Sequence, residues 1–236
     1  MKKHSKKKKE IEALKIQEDN QQIALYYFDG SGFSLVPNVP YCWQKKGETI
    51  ALDSSRSRPI NVLGFLKRDN TFSFYYVDGS VDSELVVAVF EHFISTLDES
   101  RKTVVIMDNA PAHTSAYFEA QKARWKKRNV EICPLSTYSP ELNIIEILWR
   151  FVKYQWLPFN AYLSLDTLKE KLTEVFLNVG KKFTIVFAWL LIYKLVLIHG
   201  IISHGDGSMK QIAILGSTGS IGVQSLDVIN QFSGQF

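Results

Sequence analysis

The sequence predicts an α/β fold, a mixed five-stranded sheet flanked by helices on both faces. Three observations carry that expectation. Strand-like runs follow one another between residues 23 and 77 with no helical pattern between them, as in an antiparallel meander. From residue 82 onward, strands and helices alternate. Thr103–Met107 is an unbroken apolar run, as expected of a strand covered on both faces. The composition agrees: 46% hydrophobic and 22% charged residues over 236 positions exclude a disordered, collagen-like or disulfide-framework chain. Cys42 and Cys133 offer neither a metal-cluster spacing nor a disulfide pattern, so a reducing cytoplasm is expected.

The net charge of +4 is unevenly placed, because six of the first nine residues are lysine: Lys2, Lys3 and Lys6 to Lys9. No apolar stretch follows, so this is not a secretory signal. Residues 1–22 read as a basic tail running into a short polar linker helix. The lysines there are either simply solvated or a phosphate-attracting arm.

The elements follow in order. Ile23–Phe28 is a β-branched and aromatic strand, and Asp29-Gly-Ser-Gly after it reads as a turn. A looser, hairpin-like stretch covers residues 41–53. Ile60–Leu66 and Phe72–Val77 are strands around a turn at 67–70. Asp82 or Ser83 caps a helix whose Leu85, Val86, Val89, Phe90, Phe93 and Ile94 recur at helical spacing. After the strand at 103–107, a helix over His113–Arg128 carries Lys122, Arg124, Lys126, Lys127 and Arg128. Val130–Leu135 is a further strand. Ser139-Pro140 has the N-cap and N1 residues that open a helix, here extending to about Trp156. A last helix covers 164–178 and stops at Gly180. Trp43, Trp125, Trp149 and Trp156 read as core or hairpin anchors rather than base-stacking platforms.

Three acids stand out from this layout. Asp29 and Asp108 each follow a strand, and sites in open α/β sheets form beyond the carboxyl ends of strands. Glu146 shares one polar helix face with Asn143, Arg150 and Lys153, at offsets of three and four residues. Taken singly, each acid is as readily a turn or cap residue. Taken together, two carboxylates about 4 Å apart repel by about 4 kcal/mol at an effective dielectric of 20, so three converging ones call for a cation. Hard oxygen ligands suit Mg²⁺ or Mn²⁺. Two such ions can activate a water or a 3′-hydroxyl and stabilise the leaving oxygen of a phosphodiester.

Three strings carry these acids in order: Tyr26-Tyr-Phe-Asp29-Gly-Ser-Gly-Phe33, Val104-Val-Ile-Met-Asp108-Asn-Ala-Pro-Ala-His113, and Tyr138-Ser-Pro-Glu-Leu-Asn-Ile-Ile-Glu146-Ile-Leu-Trp-Arg150. Together they resemble the catalytic domain of DDE transposases in the bacterial insertion-sequence branch of the mariner superfamily. The resemblance covers about residues 10–188. It implies a ribonuclease-H-like fold and a two-metal acid triad (Mg²⁺ or Mn²⁺) that nicks and joins DNA strands, with Asp29, Asp108 and Glu146 as the catalytic and metal-binding acids. Glu146 follows Asp108 by 38 positions, a step compatible with this branch. Two positions depart from the family pattern: Gly30 stands where an acid is usual, and Ile144 where proline is usual. Neither removes a ligand. Asn109 and His113 are expected to shape the turn after Asp108, His113 alternatively touching DNA or a metal-bound water. Lys122, Arg124, Lys126, Lys127, Arg128, Arg150 and Lys153 are candidates for DNA phosphate contacts, or else a solvated helix face.

The family implies DNA as partner, both element ends and target, and allows a homodimer. It also implies an N-terminal helix-turn-helix region, whereas only the lysine-rich segment precedes Asp29 here. The expectation is therefore a truncated transposase in the bacterial cytoplasm, nucleoid-associated when bound to DNA, with steeply salt-dependent DNA binding. The alternative is a catalytically inactive DNA-binding or dimerising remnant. Residues 183–202 are almost wholly apolar, but Lys194 near the centre makes a membrane span the less favoured reading. Met209–Gly222 has strand, glycine-turn and helix character, with the spacing GxxGxxG. Through Ile229 it resembles the amino terminus of 1-deoxy-D-xylulose-5-phosphate reductoisomerase, which implies NADPH binding in that family. One β-α unit cannot complete a dinucleotide crevice, so a fusion scar without cofactor binding is expected. The expected organisation is a tail and linker helix at 1–22, a catalytic domain at 23–188, an apolar linker at 189–208 and a partial β-α fragment at 209–236.

Overall fold

The computed structural model describes residues 2–37, 57–136 and 140–187. The hairpin-like stretch at 41–53, the apolar linker and the reductoisomerase-like fragment lie outside the described residues. Ten elements build the fold: α1 (Lys2–Asp19), β1 (Ile23–Phe33), β2 (Ile60–Leu66), β3 (Phe72–Val77), α2 (Ser83–Ser95), β4 (Lys102–Met107), α3 (Ala116–Lys127), β5 (Val130–Pro134), α4 (Ile145–Phe151) and α5 (Leu165–Leu177). The sheet runs in the order β3-β2-β1-β4-β5. Its first three strands form the expected antiparallel meander, and β1, β4 and β5 are parallel.

Each face of the sheet is dry. Phe28, Phe65, Val105 and Met107 pack beneath α2 and α3, where Phe90, Phe93, Phe118 and Trp125 are fully buried. Phe65 stacks on Phe93 with ring centroids 3.7 Å apart. On the opposite face Tyr27 is fully buried, Ile11 of α1 is 2% exposed, and Trp149 of α4 meets Phe33 and Phe72 edge-on. Phe176 of α5 completes that aromatic layer. Met1–Ile185 form one unit. Among the described residues, no helix is long and apolar enough to cross a membrane.

Local chemistry accounts for the boundaries. Asp82 caps α2 by accepting from the Leu85 amide at 2.9 Å, and Ser164 caps α5 through the Thr167 amide at 3.1 Å. Gly180, at φ +79°, ends the segment after α5. The turn between β2 and β3 closes with Asn70 at φ 67°, a left-handed conformation that asparagine tolerates.

Four expectations need correction. The lysine run is not an extended tail: residues 2–19 contain neither glycine nor proline, and the helix is continuous through them. Asp29-Gly-Ser-Gly is not a turn, because β1 carries on to Phe33 as the partner of β2 after its pairing with β4 has ended at Tyr27↔Ile106. The helix after Asp108 begins at Ala116 rather than His113, since Ser115 supplies its cap to the Phe118 amide and Pro111–His113 form a separate 3₁₀ turn. The helix carrying Glu146 is not continuous from Pro140 to Trp156. A 3₁₀ turn (Pro140–Leu142) precedes α4, and a π-helical turn (Val152–Trp156) follows it.

Candidate active site

The parallel register of β1 and β4 sets the positions of two of the acids. Tyr27 pairs with Ile106, so Asp29 and Asp108 each stand two residues past that last matched pair: Asp108 just beyond the end of β4, and Asp29 where β1 has left β4 and runs on against β2 alone. With side chains alternating along a strand, Asp29 shares the sheet face of Tyr27, which is the face that α4 covers. The β2 partner of Asp29 is Gly64. A Cβ there would lie 2.7 Å from the Phe72 ring and 3.0 Å from Trp149 Cη2. Glycine thus leaves room for the indole beside the acid, and Trp149 Nε1 donates to Asp29 Oδ2 at 3.2 Å.

Asp29 carries the electrostatic signature of the site. Burial first, then the negative charges of Glu146 and Asp108, push its carboxyl from 3.8 up to about 7, against hydrogen bonds from the Gly30 amide and Trp149. Glu146, in the first turn of α4, is also raised, by burial and by Asp108, with Lys153 and Arg150 opposing. All three acids therefore feel one another. Asp108 differs: hydrogen bonding from His113 holds it below the usual carboxylate range despite partial burial. His113 Nδ1 meets Asp108 Oδ1 at 2.7 Å, and the Ala110 amide donates to the same oxygen at 3.2 Å. A carboxylate can only accept, so His113 carries its hydrogen on Nδ1. The imidazole is 7% exposed and sits edge-on to Phe28.

The loops are tied to the same strand ends. Asn143, 3% exposed, donates from Nδ2 to the Phe28 carbonyl at 3.1 Å, anchoring the entry to α4 next to Asp29. It is a tether, not part of a polar helix face. Asn109 donates to the Leu135 carbonyl and so links the ends of β4 and β5. Lys153 points its ammonium over the Phe33 ring, 5.2 Å from the centroid, and its pKa is lowered by burial against the attraction of Glu146 and Asp29.

The basic residues do not form one surface. Arg150 and Lys153 act on Glu146. The α3 cations lie elsewhere. That helix starts near Asp108 and runs back along the sheet, so that its last residues adjoin the amino end of β4, where Thr103 N bonds the Asn129 carbonyl at 2.9 Å. Twelve helical residues span about 18 Å. Lys122, Arg124 and Arg128 also pair with Glu119, Glu91 and Glu99 at 2.5, 2.5 and 2.7 Å. Lys126 and Lys127 are exposed at that far end.

The donor set is three carboxylates, which is the hard-oxygen chemistry that Mg²⁺ and Mn²⁺ favour. Their mutual repulsion, visible in the raised Asp29 and Glu146, is what a cation would relieve. Yet among the described residues no three acid, histidine or cysteine side chains stand ready-assembled to hold a metal ion. The expected closed pocket is thus present as neighbouring, coupled acids rather than as a formed cage. Repulsion opposes closure, and both hydrogen bonds to Asp108 fall on Oδ1.

A family model described as DDE superfamily endonuclease matches residues 24–169, more than half of the chain and all three acids. The chain belongs to this family. A second model, for 1-deoxy-D-xylulose 5-phosphate reductoisomerase, matches residues 212–236 only, a 25-residue stretch that supports no reductoisomerase activity. No curated protein matches the chain.

Solved structures share the fold. The Mos1 strand transfer complex is 16% identical with a TM-score of 0.52, over 89% of this chain and 63% of that one. The Mos1 mariner paired end complex with Mn is 15% identical with a TM-score of 0.53, over 89% and 64%. The Mos1 transposase paired-end complex with left transposon end is 15% identical with a TM-score of 0.51, over 89% and 64%. The chain therefore spans under two thirds of the length of those proteins. The fold is the ribonuclease-H-like arrangement expected from the sequence.

Two features of the site escaped the sequence reading. Trp149 was expected only as an anchor, and its donation to Asp29 follows from lying three residues past Glu146, one turn along the same helix. Gly64 has a signal only in retrospect, as a lone glycine inside an otherwise apolar strand, the mark of a close approach.

Proposed function

We propose that this chain is the catalytic domain of a DNA transposase that cleaves and rejoins DNA strands in a divalent-metal-dependent reaction, with Asp29, Asp108 and Glu146 as its acids. The observation that carries the reading is the electrostatic coupling of three acids, distant in sequence, where the pairing of β1 with β4 ends and α4 begins. Family membership and the likeness to Mos1 complexes with DNA ends support it.

Asp29, Asp108 and Glu146 would hold two ions, Mg²⁺ or Mn²⁺, whose chemistry is to activate a water or 3′-hydroxyl and to stabilise the leaving oxygen. The chain's own residues do the rest. His113 and the Ala110 amide fix Asp108 through Oδ1, leaving Oδ2 for the reaction site. Trp149 fixes Asp29, and Asn143 ties the entry of α4 to β1. Lys153 and Arg150 offset the carboxylates' charge and face the anionic backbone of DNA. Element ends and target DNA are the proposed partners, a homodimer the proposed assembly, and the bacterial nucleoid the proposed place of action.

Supercoiled plasmid incubated with the protein and Mn²⁺ tests this. Wild-type protein is expected to nick it and Asp108→Asn is not. Equal, background nicking by both would leave the DNA-binding remnant as the better reading.

A further inference from the structure

The lysine-rich helix has a fixed place in the fold. Ile11 buries it against the sheet. Its C-terminal end is clamped by Arg68, which pairs with Glu18 at 2.5 Å and with Asp19, and donates to the Lys15 carbonyl at 3.3 Å. Its N-terminal half reaches β5: Lys7 Nζ lies 3.8 Å from Cys133 Sγ, which in turn donates to Glu10 Oε1 at 3.5 Å. Cys133 pairs with Ile106, two residues before Asp108. By the same registers, Cys133, Ile106 and Tyr27 share the sheet face from which Asp29 projects. The lysine run of α1 therefore stands at the carboxyl end of the sheet, on the side where the acids meet.

Lys7, paired with Glu10 at 2.9 Å, turns inward, while Lys6, Lys8 and Lys9 are exposed. The charge balance gives them weight. The chain carries +4, while the first nine residues hold six lysines and no acid, so everything after them is net −2. A polyanion approaching the acids of a net acidic body is drawn to such a basic surface, in addition to Arg150 and Lys153 beside Glu146. The α3 cations cannot supply it, being at the other end of the sheet and mostly paired with Glu119, Glu91 and Glu99.

We infer that Lys6, Lys8 and Lys9 form a rigid basic spur that binds the phosphodiester backbone of DNA beside the acidic site, holding the duplex without reading its sequence. This rests on the proposed action on DNA, and adds to it where the strand is gripped. Phosphate contacts of this kind are sequence-independent and release counterions, at about 0.9 units of log K per log salt for each phosphate neutralised.

Fluorescence anisotropy of a labelled blunt duplex, titrated in EDTA between about 50 and 200 mM NaCl, tests the inference without any metal. The triple variant Lys6→Gln/Lys8→Gln/Lys9→Gln is expected to flatten the salt slope by about 2.7 and to weaken binding on the order of a hundredfold at about 0.15 M salt. Lys→Arg changes at the same three positions should keep the wild-type slope, and Lys126→Gln/Lys127→Gln should leave it unchanged. A slope in the lysine triple equal to that of wild type overturns the spur. Loss of slope in the α3 pair instead would move the grip to the other end of the sheet and overturn it as well. If wild type binds with no salt dependence, or not at all, the reading of the domain as acting on DNA fails with it. Binding that depends on the spur with no Mn²⁺-dependent nicking refutes only the catalytic reading.

Discussion

Replacing Asp29 by asparagine should stabilise the metal-free protein, and the gain should grow with pH. Asp29 titrates at about 7 in the folded chain against an ordinary value of 3.8. Because the folded value is the higher, the folded state holds the extra proton between the two. Stability is therefore full below the lower value and falls as pH rises toward the upper one. At 1.36 kcal/mol per unit, the cumulative loss is about 1.6 kcal/mol by pH 5 and about 4 kcal/mol by pH 8. Asparagine keeps the shape, does not titrate, and is spared this loss. The repulsion between Asp29 and Glu146 is mutual and is counted once, in the raised value of Asp29, so asparagine removes it from both acids. The advantage of Asp29→Asn over wild type should widen by about 2–3 kcal/mol between pH 5 and pH 8. For a chain of this length that is about 5–10 °C in Tm, readable by thermal melting in EDTA. Saturating Mg²⁺ should then narrow the gap by raising wild type alone, since a ligand at a hundred times its Kd adds about 2.7 kcal/mol. A variant that melts below wild type at pH 8, or a gap independent of pH, would refute the claim that Asp29 is held charged against burial and like-charged neighbours.

Two further outcomes follow from the same contacts. Trp149→Phe keeps the ring among Phe33, Phe72 and Phe176 but removes the hydrogen bond that favours ionised Asp29. The pH at which the Asp29→Asn advantage levels off should therefore move upward when both proteins carry phenylalanine at 149. Asn70 exchanges two buried hydrogen bonds with Ile185, at 3.0 and 2.7 Å, from a left-handed backbone position. Asn70→Ala should cost about 2–4 kcal/mol in urea unfolding, with an unchanged denaturant slope.

Much of the fold was legible because the local signals agreed with the tertiary demand. β2 and β3 lie at the expected residues, and Asp82 and Ser164 cap the expected helices. The continuation of β1 was hidden because Asp-Gly-Ser-Gly is turn chemistry wherever nothing else pairs with it. Here β2 offers a full antiparallel ladder opposite those residues, and the glycines permit its close approach. The helix break around α4 was hidden for a related reason. Asn143 bonds to the Phe28 carbonyl, 115 residues away, a partner that no local pattern can show. At the site, the acids were legible through their strings, whereas the supporting contacts (His113 on Asp108, Trp149 on Asp29) depend on which faces the strands and helix present. Charge along the sequence was the poorest guide. It pointed at once to the lysine run, to α3 and to Arg150 and Lys153, and only the fold separates them: three of the α3 cations are spent on Glu91, Glu99 and Glu119, while Arg150 and Lys153 act on Glu146.

The proposed chemistry requires residues 29, 108 and 146 to share a cation. Mn²⁺ binding, followed by titration calorimetry together with the loss of the free-ion electron paramagnetic signal, measures that directly. Wild type is expected to bind with heat release and signal loss, while Asp29→Asn, Asp108→Asn and Glu146→Gln each lose most of the affinity although all three remain folded. Wild-type binding that survives all three single substitutions, or no binding by wild type, would contradict it.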